Sequence, residues 1–336
     1  MSRPRYKKWQ GGLSLVELLV SMLISAILIS VMMTIYLSNS RSIMFTKAFT
    51  EVHQTARTTK ILLTRELQNS NFWGCVTGTN TTVNNIATDS HGYNPSLHDY
   101  RQSFIAENDI TAAGKKTGSD SIKFFYVSDT GVRLTQNMSR SFSNIQVNDA
   151  SGFAKHDIVL ITNCQDADIF VLSQAQTQNN SLIHNSYATE PGNGNLSTNP
   201  GCAGGHCLSI AYGKGSSIMA MQHRSFFLNT DNMLVLNDGK QEFRWIAGIE
   251  DLQFEFGIDT NNDDAPDIYV TADDTLFSRT KTRAIRAYVL LVSSAKANVN
   301  EETFQYAGKT VTADDGHYRY LLEMNVSLRN FAGGTQ

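Results

Sequence analysis

Gly11-Gly12-Leu13-Ser14-Leu15-Val16-Glu17-Leu18-Leu19-Val20 is the stretch on which the fold turns: a small-residue break, then an apolar run carrying one acid. From Leu18 to Ser40 no charged residue occurs. As a helix that run measures about 34 Å, enough to cross a hydrocarbon core of about 30 Å. Ahead of it, Met1 to Gly12 is short and holds Arg3, Arg5, Lys7 and Lys8. The positive-inside tendency keeps this segment cytoplasmic and sends everything after Arg41 across the membrane.

An ordinary secretory signal has an apolar region of about 7 to 15 residues, shorter than this one, although Ser38-Asn39-Ser40 offers a small-x-small cleavage site. Neither such a signal nor a plain anchor accounts for Glu17, because a carboxylate at depth costs on the order of 2 to 3 kcal/mol and calls for a partner.

The quoted motif resembles the cleavage site of type IV prepilins and type II secretion pseudopilins. The resemblance implies that a prepilin peptidase cuts after Gly12 and methylates the new amino terminus at Leu13, where the family more often has an aromatic residue. It makes Glu17 the acid of the fifth mature position. Cutting there creates an amine four residues before Glu17, and opposite charges attract strongly in low dielectric. The resemblance implies that this pair forms between adjacent subunits and sets their axial register.

Neither Gly nor Pro occurs from Leu13 to Trp73, so one unbroken helix is expected over 13–73, its transmembrane span at about 15–37. Gly74 is the expected stop. Beyond the span, Phe45, Phe49, Val52, Ala56 and Leu63 follow a 3-and-4 spacing, a stripe for packing on a head with a hole at Thr59. Ser21, Ser25 and Ser30 are small enough to let neighbouring membrane helices approach.

From Trp73 onward short β-type runs alternate with Asn, Gly, Ser and Asp clusters. Strands are expected at 121–127, 157–162, 168–173, 208–212, 217–228, 233–236, 241–246, 252–258, 283–294 and 318–328. No helix of crossover length lies between them, so antiparallel meanders are expected. The fold class is α+β: a long N-terminal helix, half transmembrane and half amphipathic, packed on an antiparallel β-rich head of residues 74–336. Polar stretches at 77–119 and 174–205 read as long surface loops.

The chain has 336 residues, 41% of them apolar, and a formal charge of −3. Removing the leader takes away four cations, leaving −3 − 4 = −7, the wrong sign for a general nucleic-acid binder. Four cysteines, Cys75, Cys164, Cys202 and Cys207, read as two disulfides in an oxidising compartment, with three pairings open. Within the head, Phe72-Trp73-Gly74-Cys75, Asp157 to Cys164, Gly248 to Phe254 and Asn325 to Asn330 resemble minor pilins of the PilW kind. That resemblance implies pairing of Cys75 with Cys164 and of Cys202 with Cys207. It also implies other minor pilins, the major pilin and the inner membrane before assembly as partners, and the pilus fibre as destination.

Asp259, Asn261, Asp263 and Asp267 fall at positions 1, 3, 5 and 9 of a loop with the oxygen alternation of an EF-hand calcium site, a candidate structural Ca2+. Asp264 stands where that turn prefers Gly, and Val270 where a bidentate acid belongs. Arg279, Lys281, Arg283 and Arg286 form a basic cluster, read as a solvated face or a nucleic-acid contact. Gly308-Lys309-Thr310 lacks the upstream glycine of a phosphate loop, and the eight histidines form no H-E-x-x-H pair. No catalytic residues are assigned and no enzyme activity is expected.

Overall fold

The computed structural model describes residues 14–76, 82–90, 93–100, 104–186, 191–194, 206–297 and 299–330. The leader through Gly12, together with Leu13 and Cys202, lies outside them.

One helix, α1, runs from Leu15 to Asn69. It ends four residues before the expected Trp73, because Asn71 takes a left-handed conformation (φ 59°) and gives its N–H to the Phe125 carbonyl at 2.9 Å. Gly74 (φ 74°) completes the turn, and a Cβ there would meet the Met219 sulfur at 2.6 Å. The polar end of the chain closes the helix: the Asn330 amide donates to the Gln68 and Ser70 carbonyls at 3.1 and 2.9 Å. These are carbonyls that a helix terminus leaves without internal partners.

After α1 come β1 (Thr82–Asn84), the short helix α2 (Pro95–His98), β2 (Phe104–Glu107), β3 (Ser121–Arg133), β4 (Ile145–Gln146), β5 (Ile158–Thr162), β6 (Ala167–Val171), β7 (Gln174–Gln176), β8 (Ser181–Ile183) and β9 (Ser217–Leu228). Then follow β10 (Met233–Asn237), β11 (Glu242–Ala247), β12 (Ile249–Ile258), β13 (Ile268–Val270), β14 (Thr282–Lys296), β15 (Glu302–Tyr306), β16 (Lys309–Ala313) and β17 (His317–Ser327). The largest sheet is centred on β9. One edge of β9 pairs with β3, and the other is shared between β5 near its start and β10 near its end. A four-stranded sheet in the order β13-β12-β14-β17 carries the helix. Among the described residues every strand pair is antiparallel except β1 with β6.

Alternate residues of β12, Leu252, Phe254, Phe256 and Ile258, enter the main core, as the period of two requires. There they meet Val52, Ala56, Leu63 and Leu67 of α1 together with Phe124 and Phe226 of the large sheet. The expected strand at 208–212 does not form. Leu208 and Tyr212 are fully buried, but this segment is held through side chains: Tyr212 donates its hydroxyl to Asp168 at 2.7 Å, and Ser209 donates to the same carboxylate through N–H and hydroxyl. Burial alone gave those residues a strand-like pattern.

Candidate assembly surface

The helix is used in two different ways along its length. From Leu15 to Leu37 its apolar side chains are exposed around the whole circumference. Ser21, Ser25 and Ser30 turn their hydroxyls back onto the carbonyls of Leu18, Ser21 and Ile27, leaving no orphan donor on this face. Glu17 lies exposed in the first turn, where the helix dipole favours an anion. Gly12 and Leu13 precede the described residues, so the site comprises Glu17 and the apolar surface that follows it.

From Ala48 onward the same helix buries Ala48, Val52, Ala56, Thr59, Leu63, Glu66 and Leu67. The stripe differs from the sequence expectation at its start and at its presumed hole. Phe45 and Phe49 stay about two-fifths exposed, at the rim, where both rings lie against Tyr318 with centroids 5.6 and 5.7 Å away. Thr59, read as a hole, is fully buried, and its hydroxyl has no partner. Sequence periodicity passed over Glu66 because it is charged. Its carboxylate meets Arg224 of β9 at 2.5 Å, and the guanidinium lies over the Tyr126 ring at 5.6 Å. A buried acid answered by a half-covered arginine fixes the end of the helix against the large sheet. Glu51 adds a second tie, accepting from the Ser294 N–H and hydroxyl at 3.1 and 3.0 Å.

Cys75, just past the helix, is bonded to Cys164 in the turn between β5 and β6, the pairing that the resemblance implied. Cys207 is disulfide-bonded and fully buried.

The acidic loop at 259–267 does bring Asp259, Asn261, Asp263 and Asp267 into one turn, but their oxygens are occupied. Asp259 is fully buried and accepts the N–H groups of Asn262 at 2.6 Å and Asp264 at 3.0 Å, while Arg283 stands 3.4 Å away. Asp267 accepts the N–H and hydroxyl of Thr260, each at 2.7 Å, which holds its carboxyl below the usual range. Asp263 accepts from Ala265 at 2.9 Å. Arg283 also binds Asp264 at 3.1 Å, so a guanidinium supplies the positive charge that a calcium ion would bring. The residues as arranged do not fit the ion, and among the described residues no three His, Cys, Asp or Glu side chains converge for a metal.

Two of the four cations of the basic cluster are neutralised in the same way. Arg283 is taken by Asp259 and Asp264. Arg286 pairs with Glu255 at 3.3 Å and lies over Tyr269 at 3.7 Å. Arg279 covers Phe277.

Comparison with known proteins returns one family, type IV pilus-assembly protein W, whose model matches residues 223–330. That segment runs from β9 to the Asn330 cap and includes the sheet on which α1 rests. Among solved structures, the type IV-like pilin TTHA1219 from Thermus thermophilus is similar at 11% identity and a TM-score of 0.35, over 84% of this chain and 97% of that one. No curated protein matches the chain. Over residues 223–330 the chain is thus similar to the type IV pilus-assembly protein W family, and at its other end stands a long helix whose first half is apolar.

Proposed function

We propose that this chain is a minor pilin that helps to initiate type IV pilus assembly, sitting at or near the tip and contributing to twitching motility and adhesion. The observation that carries the reading is the division of α1. One half exposes apolar surface all round and begins with a lone carboxylate, while the other half is locked to the head. A helix apolar on every side is suited first to lipid and then to the interior of a filament. In this reading, prepilin peptidase cuts after Gly12 in the inner membrane and the methylated Leu13 amine meets Glu17 of a neighbouring subunit. The pair then fixes register as the subunit leaves the bilayer for contacts with other minor pilins and the major pilin.

Mass spectrometry of the mature protein is expected to find N-methylated Leu13 as the first residue; a chain beginning at Arg41 overturns the reading. Glu17→Ala is expected to leave membrane insertion intact and to reduce surface pili at least about tenfold, because it removes one partner of a poorly solvated charge pair. Unchanged piliation excludes the register role. Deleting the gene is expected to abolish pili while leaving exoprotein secretion in place; the reverse phenotype assigns the subunit to a type II secretion filament.

A further inference from the structure

Beside the head-bound half of α1 runs a groove of about 810 Å³. The helix forms one bank with Glu51 and Thr58, and strand ends bring Asp231, Glu250 and Asp315 to the other. Arg319 answers Glu250 at 2.5 Å and Asp315 at 2.7 Å. Arg244 reaches Asp231 at 3.4 Å from outside the groove, so two guanidinium groups answer four carboxylates and the surroundings stay net negative. Elsewhere on α1, Arg57 and Lys60 are exposed beside Ile61, which is 60% exposed, and neither cation has an ion-pair partner among the described residues. At 100° per residue the two patches lie about 140° apart around the helix. Patches of opposite sign at different places on one molecule make a heterologous contact, the kind that propagates a filament instead of closing a dimer.

We propose that the groove receives the Arg57 and Lys60 face of a second copy of this chain, the two helices lying parallel. The axial fit rests on the assembly reading above. If one subunit's Leu13 amine is level with Glu17 of the next, the step is four residues, about 6 Å. Groove positions 51–58 of the first subunit then lie level with 55–62 of its neighbour, the turns that hold Arg57 and Lys60. Charge complementarity of this kind selects register and partner more than it supplies affinity.

The test uses the full chain, half of it 15N-labelled, co-reconstituted in vesicles and treated with a carbodiimide that joins amines to carboxylates without a spacer. Peptides of mixed isotope linking Lys60 to Glu51, Asp231 or Asp315 are expected. Arg57→Glu with Lys60→Glu, both at exposed positions, is expected to lower the yield of intermolecular product at least about fivefold. Glu51→Lys in the partner chain is expected to restore association of that variant. Absence of mixed-isotope links to the groove, or association indifferent to the charge reversals, overturns the contact. If the contact fails while Glu17→Ala still blocks piliation, the groove assignment falls and the assembly reading stands.

Discussion

Thr59 is a buried hydroxyl without a partner, at a position where the neighbouring side chains Val52, Ala56 and Leu63 are apolar. An unsatisfied buried hydroxyl costs about 1 kcal/mol or more, and valine has nearly the same shape. Thr59→Val is therefore expected to raise stability by about 1 kcal/mol, read as a higher denaturant midpoint with an unchanged slope. A lower midpoint refutes this account. Asp259 is the opposite case, a buried carboxylate fully used by Asn262, Asp264 and Arg283. Asp259→Ala strands those groups and is expected to lower the melting temperature sharply, whereas millimolar calcium leaves the native melting curve in place. A calcium-dependent rise restores the ion to this loop. The alternation of oxygens from Asp259 to Asp267 was legible in the sequence. Its use was not, because the decisive partner, Arg283, belongs to another strand.

At the scale of elements, the helix depends on the far end of the chain. The Asn330 side-chain amide donates to two carbonyls of the last turn, and its backbone carbonyl accepts from the Asn71 amide at 3.0 Å. Asn330→Ala removes the two side-chain bonds, leaving the backbone one to Asn71, and is expected to cost about 1 to 2 kcal/mol. Faster amide exchange confined to the last turns of α1 and the Asn71 turn is the accompanying signature; uniform exchange across the head contradicts it. The long strands β3, β9, β12, β14 and β17 were readable because each spans 10 residues or more and carries β-branched, aromatic and other apolar residues bounded by polar turn clusters. The strands β1, β4, β7, β8 and β13 span only two or three residues, and the five-residue strands β15 and β16 each mix charged or polar residues with a few apolar ones, so periodicity had little to register. The helix was legible through its lack of Gly and Pro. Its end at Asn69 was not, since the stop comes from the Asn71 turn docking on β3.

For the whole molecule, buried titratable groups pull stability in opposite directions across mildly acidic pH. Burial lowers the pKa of His184, His98 and His223, and takes that of His206 down to about 3. His184 and His206 also face each other, Nδ1 to Nδ1, at 2.8 Å, with room for one shared proton. Groups with depressed native pKa contribute stability that is present above about pH 6.5 and is lost as the pH falls and the unfolded chain takes up protons first. Asp120 has the opposite sign. Burial raises its pKa to about 7 despite the N–H groups of Asp109 and Phe254, and Asp168 is also raised by burial. Their contribution is present below about pH 4 and is lost as the pH rises through the native value. Four histidines outweigh two aspartates, so stability of the detergent-solubilised full chain is expected to increase from pH 4 to pH 6.5, with the aspartates blunting the slope. Asp120→Asn removes one opposing titration and is expected to steepen that rise by up to one proton's worth, about 1.4 kcal/mol per pH unit, whatever its constant offset in stability. Denaturant titrations of both proteins at half-unit intervals decide it: parallel profiles mean that Asp120 ionises in the folded head as it does in the unfolded chain.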